Sequence, residues 1–158
     1  FASSFFQKKV EPGKKIMAYG PSGSFKLKET ERPVVLLSGG VGQTPLIAMA
    51  HHIAERASRP TVFIHACQNG SVHALNDEIK VLQKKYSGLS SFVFYAEPSP
   101  SEELGVDYDY EGFVDRETLE KLCPQGATEY YLCGPGPFMK AMYDILKDRN
   151  VDNSLTVE

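Results

Sequence analysis

Val34-Val35-Leu36-Leu37-Ser38-Gly39-Gly40-Val41-Gly42-Gln43-Thr44-Pro45 decides the fold of this chain. Four β-branched or leucine residues in a row read as a strand buried on both faces, the habit of a parallel sheet. The glycines end that strand and permit a sharp turn. Pro45 suits the first helical position, where its missing N–H has no intrahelical partner, and Thr44 stands ready as the N-cap. The spacing predicts a helix over 44–57, with Leu46, Met49, Ala50 and Ile53 on one stripe.

Downstream, the same alternation recurs. Strands are predicted over 61–67, 91–96, 129–133 and 155–157, and helices over 73–86, 115–122 and 138–149. Leu75, Ile79 and Leu82 form the stripe of the second helix, and Phe138, Met142, Ile145 and Leu146 that of the last. Asp115 is placed to cap the short helix after it. The polar stretch 97–111 reads as a surface loop. Strand–helix alternation with short turns means parallel pairing through right-handed crossovers. The predicted fold is a doubly wound α/β domain with a five-stranded parallel sheet, over residues 32–158. Residues 1–31 differ: a strand over Lys15–Tyr19, a turn over Gly20–Phe25, and no helix to pair with them.

Two glycine-rich turns follow strands, Gly39–Pro45 and Cys133-Gly134-Pro135-Gly136-Pro137-Phe138-Met139. In such sheets ligands gather outside the carboxyl ends of the strands. A helix start offers unpaired N–H groups and a partial positive charge, which suits a pyrophosphate. The Thr44 hydroxyl can cap the helix or donate to a phosphate oxygen. The first turn is not a G-x-G-x-x-G fingerprint, because Pro45 stands where the last glycine belongs, and no Gly-Lys-Ser/Thr makes it a P-loop. A glycine turn without a ligand is the plain alternative, and for Cys133 it is a small packed residue.

Composition narrows the classes. With 17 basic against 20 acidic residues and no Lys/Arg block, nucleic-acid binding has no electrostatic footing. The longest pure apolar run, Val34–Leu37, falls far short of the ~20 residues of a membrane helix. No secretory leader is visible at Phe1-Ala2-Ser3-Ser4, and the start without Met suggests a fragment. Cys67, Cys123 and Cys133 lack ligand spacing, so no metal is expected; thiols fit a reducing, cytoplasmic setting. His51, His52 and His65 have no partner at ligand spacing and read as solvent or core residues.

Taken together, Pro21-Ser22-Gly23-Ser24-Phe25, Gly39–Pro45 and Cys133-Gly134-Pro135 with Phe138-Met139 resemble the ferredoxin–NADP reductase superfamily. Residues 35–45, His65-Ala66-Cys67-Gln68-Asn69-Gly70-Ser71-Val72-His73-Ala74 and Tyr131–Pro135 are similar to the reductase half of flavohaemoglobins (nitric oxide dioxygenases). The resemblance implies the end of an FAD-binding β-barrel over 1–31 and an NAD(P)-binding domain over 32–158. It implies that Gly39, Gly40, Val41, Gly42, Gln43 and Thr44 hold the pyrophosphate. Cys133 and Gly134, with Pro135, would shape the nicotinamide pocket, and Pro137, Phe138 and Met139 would touch the adenosine side. Ser3 matches a serine near FAD, and Glu158 a glutamate that tunes hydride transfer; Thr44, Cys133 and Glu158 are the catalytic candidates. Hydride would pass from NAD(P)H to FAD, and electrons singly to a haem, with nitric oxide and oxygen as substrates and an FAD domain and a globin domain as partners in the same parent chain. The Arg-x-Tyr-Ser/Thr flavin motif is absent here, so this stretch alone is expected to hold FAD poorly and to be inactive. After the second strand, Cys67-Gln68-Asn69 offers no Arg for a 2′-phosphate, which favours NADH. The rival readings are the reductase component of an oxygenase, a cytochrome b5 reductase-type enzyme, and a non-catalytic nucleotide-sensing module.

Overall fold

β1 (Val34–Gly39) lies inside the sheet with all six residues buried. The computed structural model describes residues 2–20, 22–57, 59–147 and 155–157. β2 (Thr61–Cys67) pairs with one side of β1 and β5 (Glu129–Cys133) with the other. β3 (Leu89–Tyr95), β4 (Tyr110–Glu111) and β6 (Leu155–Val157) complete six parallel strands in the order β4-β3-β2-β1-β5-β6. The chain runs outward from β1 to β4, then returns to β5 and β6 on the far side. The direction of winding therefore reverses between β1 and β5, the place where open α/β sheets make a crevice.

Strand alternation splits the apolar side chains between two cores. Val34, Leu36 and Phe63 pack beneath α2 (Gln43–His52) and α3 (Asn76–Lys85), against Leu46, Ile53 and Leu82. Val35, Leu37 and Ile64 pack on the other face, against Leu119 of α4 (Arg116–Leu122) and Met142 and Leu146 of α5 (Gly136–Lys147). Each such side chain, fully buried, contributes roughly 1.5–3 kcal/mol. Asp115 caps α4 as its sequence position suggests, accepting from the Thr118 N–H at 2.8 Å.

The structure departs from the sequence reading in five places. The sheet has six strands, because Tyr110–Glu111 inside the supposed surface loop pairs with Phe94–Tyr95. The Asp109 carboxylate fixes that edge by accepting from the Val93 N–H at 2.8 Å. Thr44 is not the cap of α2: a 3₁₀ turn over Gly40–Gly42 brings the backbone to helical angles early, so Gly42 caps and Gln43 is the first helical residue. Leu75 leaves its predicted stripe, adopting φ 58 as the turn into α3. Ala2–Lys9 forms α1, where no helix was foreseen. Lys15–Tyr19 is no strand: it has no sheet neighbour among the described residues, and Met17 and Tyr19 are 85% and 89% exposed.

The segment leading into β1 is bolted to β5, the strand beside β1. Phe25 meets Tyr131 edge to face, the Lys28 N–H donates to the Tyr131 hydroxyl at 2.8 Å, and Thr30 Oγ1 donates to Glu129 Oε1 at 2.8 Å. Arg59, 3% exposed, completes the buried pair with Glu129 at 3.3 Å. Losing either partner would strand a buried charge, a loss of roughly 3–5 kcal/mol.

Candidate functional site

Register brings the two glycine turns together. Ser38 lies opposite Cys133, so the turns leaving β1 and β5 emerge side by side. Their contact admits no side chains. A Cβ on Gly42 would fall inside the Cys133 carbonyl and 2.7 Å from the Gly134 nitrogen. One on Gly39 would reach 2.8 Å from the Phe138 ring, and one on Gly134 would reach 2.7 Å from the same ring. Gly42 lets the two backbones meet, and Gly39 and Gly134 make room for the Phe138 ring. Gly40 differs: it holds φ +51 and faces open space. Val41, beside it, is 79% exposed.

Beyond the turns lies a cavity of about 730 Å³. Gly39, Gly40, Val41 and Gln43 form one wall; Ala66, Cys67 and Gln68, from the end of β2, form the floor with Ala96 and Glu97, which follow β3. Val72 and Ala74 close one side, Gly112, Phe113 and Val114 another, and Pro135, Pro137, Phe138, Ala141 and Met142 the last. The volume falls in the range of small-molecule and cofactor sites, and the wall is apolar apart from a few polar groups, as such sites are. Among the described residues, Glu97 is its one charged lining residue. Gln68 steadies it, donating from Nε2 to Glu97 Oε2 at 3.0 Å. A second cavity, about 950 Å³, lies between residues 25–31 and the outer side of α2, lined by Arg56 and Arg59 among others. It is larger but away from the carboxyl ends of the strands, where this class of sheet receives ligands.

The structure gathers some of the sequence candidates and leaves others aside. Gly39, Gly40, Val41, Gln43, Pro135, Pro137 and Phe138 line the cavity. Gln43 is buried, and its side-chain amide donates to the Ala74 carbonyl at 2.6 Å. Gly42 and Gly134 shape the turns from behind. Thr44 is exposed and its hydroxyl leans on the Val41 carbonyl at 3.4 Å. Cys133 packs toward the α2 side of the sheet and Met139 toward the α5 side. Ser3 falls within α1, and Glu158 lies outside the described residues. Sequence reasoning passed over Ala66, Val72, Ala74, Glu97 and Phe113. Ala66 closes β2 and the others follow strands at the carboxyl edge, so the positional rule that found the two turns applies to them as well.

The thiol in the floor is not primed for chemistry. Burial, aided by the Glu102 charge, pushes Cys67 up to about 11, so it stays protonated at neutral pH. His65 is a core residue, and His51 pairs with Glu78 at 2.9 Å on the surface.

Glycine turns at the reversal point of a parallel sheet, opening on an apolar cleft, define a doubly wound α/β domain of the nucleotide-binding class. Residues 36–144 match the oxidoreductase NAD-binding domain family, and the chain belongs to it. It is 41% identical over 150 residues to a flavohemoprotein of Deinococcus radiodurans, covering 94% of this chain and 37% of that protein. It is 35% identical over 147 residues to one of Rhizobium meliloti, covering 92% of this chain and 36% of that protein. The chain thus spans under two-fifths of the length of these curated relatives. Among solved structures it resembles the flavohem-like FAD/NAD-binding domain of nitric oxide dioxygenase from Vibrio cholerae, with TM-score 0.84 and 30% identity over 99% of this chain and 62% of that one. The cytochrome b5 reductase domain of Ulva prolifera nitrate reductase shares the fold, with TM-score 0.71 and 21% identity over 84% of this chain and 50% of that one.

Proposed function

We propose that this chain binds NADH at the carboxyl edge of its sheet and presents it to a flavin held elsewhere in a longer, flavohaemoglobin-like protein. The carrying observation is the cavity of about 730 Å³ opening directly from the Gly40–Gly42 turn. Gly40's open left-handed backbone leaves room for a diphosphate, and the helical run that begins at Gly40–Gly42 and continues into α2 offers the positive end of its dipole. Val72, Phe113 and Phe138 offer apolar surface to the adenine and exclude water around it. Cys133 and Gly134, at the end of β5, stand on the nicotinamide side.

When bound, the reduced nicotinamide supplies a hydride. The chain's own share is orientation: backbone at 39–42 fixes the diphosphate, and the two turns hold the cofactor's halves in register. Glu97 sets the choice of cofactor. A carboxylate accepts a hydrogen bond from a ribose 2′-hydroxyl and repels a 2′-phosphate, and no Lys or Arg among the described lining residues offsets it. The remaining steps belong to the parent protein: hydride to FAD, near which Ser3 and Glu158 are assigned, single electrons to a haem, and nitric oxide and oxygen as substrates of a cytoplasmic enzyme. That the two curated relatives above are flavohemoproteins supports this acceptor over that of an oxygenase reductase or a cytochrome b5 reductase.

Calorimetric titration with NADH, NADPH and ADP-ribose tests the reading. NADH and ADP-ribose are expected to bind, with NADPH weaker by about tenfold or more, the ratio that ~1.4 kcal/mol of charge repulsion produces. Tighter binding of NADPH would overturn the cofactor assignment.

A further inference from the structure

Beneath the cavity, on the α2 side of the sheet, a row of polar side chains is buried with no part in the chemistry above. Ser38 Oγ and His65 Nδ1 lie 2.8 Å apart. The Ser38 hydroxyl also lies 3.2 Å from the Ile64 carbonyl, which only accepts; with its proton given there, the His65 contact is a donation from Nδ1. The His65 ring stacks on His73, with centroids 4.6 Å apart and planes tilted by 30°. His73 Nδ1 lies 3.0 Å from the Tyr95 hydroxyl, and Tyr95 stacks on Tyr108 at 5.1 Å. Burial holds both imidazoles neutral at neutral pH, His65 down to about 3 and His73 below its ordinary value, so the stack carries no mutual repulsion.

His73 sits between Val72 and Ala74, two residues of the cavity wall. The Ala74 carbonyl accepts the 2.6 Å hydrogen bond from Gln43, the first residue of α2 and the neighbour of the 3₁₀ turn. A continuous set of contacts therefore runs from the sheet interior through His65 and His73 to Ala74, then through Gln43 to Gly40–Gly42. The segment it joins is a single 3₁₀ turn, Gly70–Val72, with no buried residue; the Gly70 N–H donates to Glu102 Oε1 at 2.8 Å and Asn69 caps it, while His73 is its tie toward the sheet interior.

We propose that His73, stacked on His65, is a positioning residue for the diphosphate-binding turn, acting through Ala74 and Gln43. The proposal rests on the cofactor reading above. It differs from a purely structural role in predicting a local effect confined to residues 40–43 and 70–75.

The test is ADP-ribose titration together with hydrogen–deuterium exchange on the whole chain. His73→Ala is expected to weaken ADP-ribose by about tenfold. It should speed amide exchange over residues 40–43 and 70–75 while leaving β1 and β5 protected. His73→Asn, whose side-chain amide can stand in for Nδ1 toward the Tyr95 hydroxyl as donor or acceptor, should restore affinity to within about threefold. Gln43→Met, which cuts the same connection from the other end, should speed exchange at 40–42 in the same way. ADP-ribose affinity of His73→Ala within about twofold of the parent chain would overturn the proposal. So would faster exchange spread evenly over β1, β2 and β5. If the parent chain itself fails to bind ADP-ribose, the cofactor reading falls, and the exchange pattern alone decides whether His73 holds the turn.

Discussion

Gly42 and Gly40 stand two residues apart in one turn and answer to different forces. At Gly42 a methyl group has nowhere to go, because the Cys133 carbonyl already occupies its place. Gly42→Ala must push two backbones apart, and overpacking of this kind costs about 1–3 kcal/mol. At Gly40 there is room, and the cost is the left-handed backbone alone, about 1–2 kcal/mol for an L side chain. Scanning calorimetry should show both variants melting lower, Gly42→Ala by the larger margin, with shifts of about 2–4 °C per kcal/mol for a chain of this size. A Gly42→Ala protein as stable as the parent would refute the packing of the two turns. His65 makes a second residue-scale prediction. Its folded-state pKa of about 3 lies below the ordinary 6.5, so the unfolded chain takes up the proton first. Stability is therefore complete above pH 6.5 and falls as pH drops toward 3, by up to ~1.4 kcal/mol per pH unit from this group. Urea unfolding at about pH 7 and about pH 5 should differ by roughly 2 kcal/mol through His65, and His65→Gln should remove that part of the slope. An unchanged slope would mean that the imidazole is not held neutral in the fold.

Elements were legible in proportion to how much of their stability is local. β1, β2 and β5 are runs of β-branched, leucine and aromatic residues buried on both faces, and such runs announce themselves. α4 was legible from its cap. Asp115→Ala should cost about 1 kcal/mol, a loss felt at the start of α4, next to Val114 of the cavity wall. Hydrogen bonds from Thr118 hold the Asp115 carboxyl below its ordinary 3.8, so the cap's stabilisation is present above that pH and is lost as pH falls through the lowered value. A melting temperature unmoved by Asp115→Ala at neutral pH would contradict this. β4 was illegible because nothing in Tyr110–Glu111 repeats: two residues pair with β3 only because Asp109 and Tyr110 find Val93 and Phe94 across the sheet. The supposed strand at Lys15–Tyr19 failed for the converse reason. Its short apolar run was suitable, but a strand needs a neighbour, and none adjoins it among the described residues.

At the scale of the molecule, the site is a consequence of strand order. Reversal between β1 and β5 sets two glycine turns side by side, and the staggered ends of β2, β3 and β4 wall in the space beyond. The turns could be read from glycine spacing; Ala66, Ala74, Glu97 and Phe113 carry no such spacing, and only their place at strand ends marks them. Glu97 is the test of that wall. Glu97→Ala should narrow the preference for NADH over NADPH by about tenfold, measured as the ratio of dissociation constants, and should weaken ADP-ribose together with NADH, since both carry the ribose 2′-hydroxyl. A preference that stays the same would move the 2′ position of the ribose elsewhere. The central claim is tested most directly by a crystal structure of this chain with NAD bound. The diphosphate should lie against Gly40–Gly42 at the start of α2, with the adenosine ribose beside Glu97. Density for the cofactor between Arg56, Arg59 and residues 25–31 instead, with the strand-end cavity empty, would contradict it.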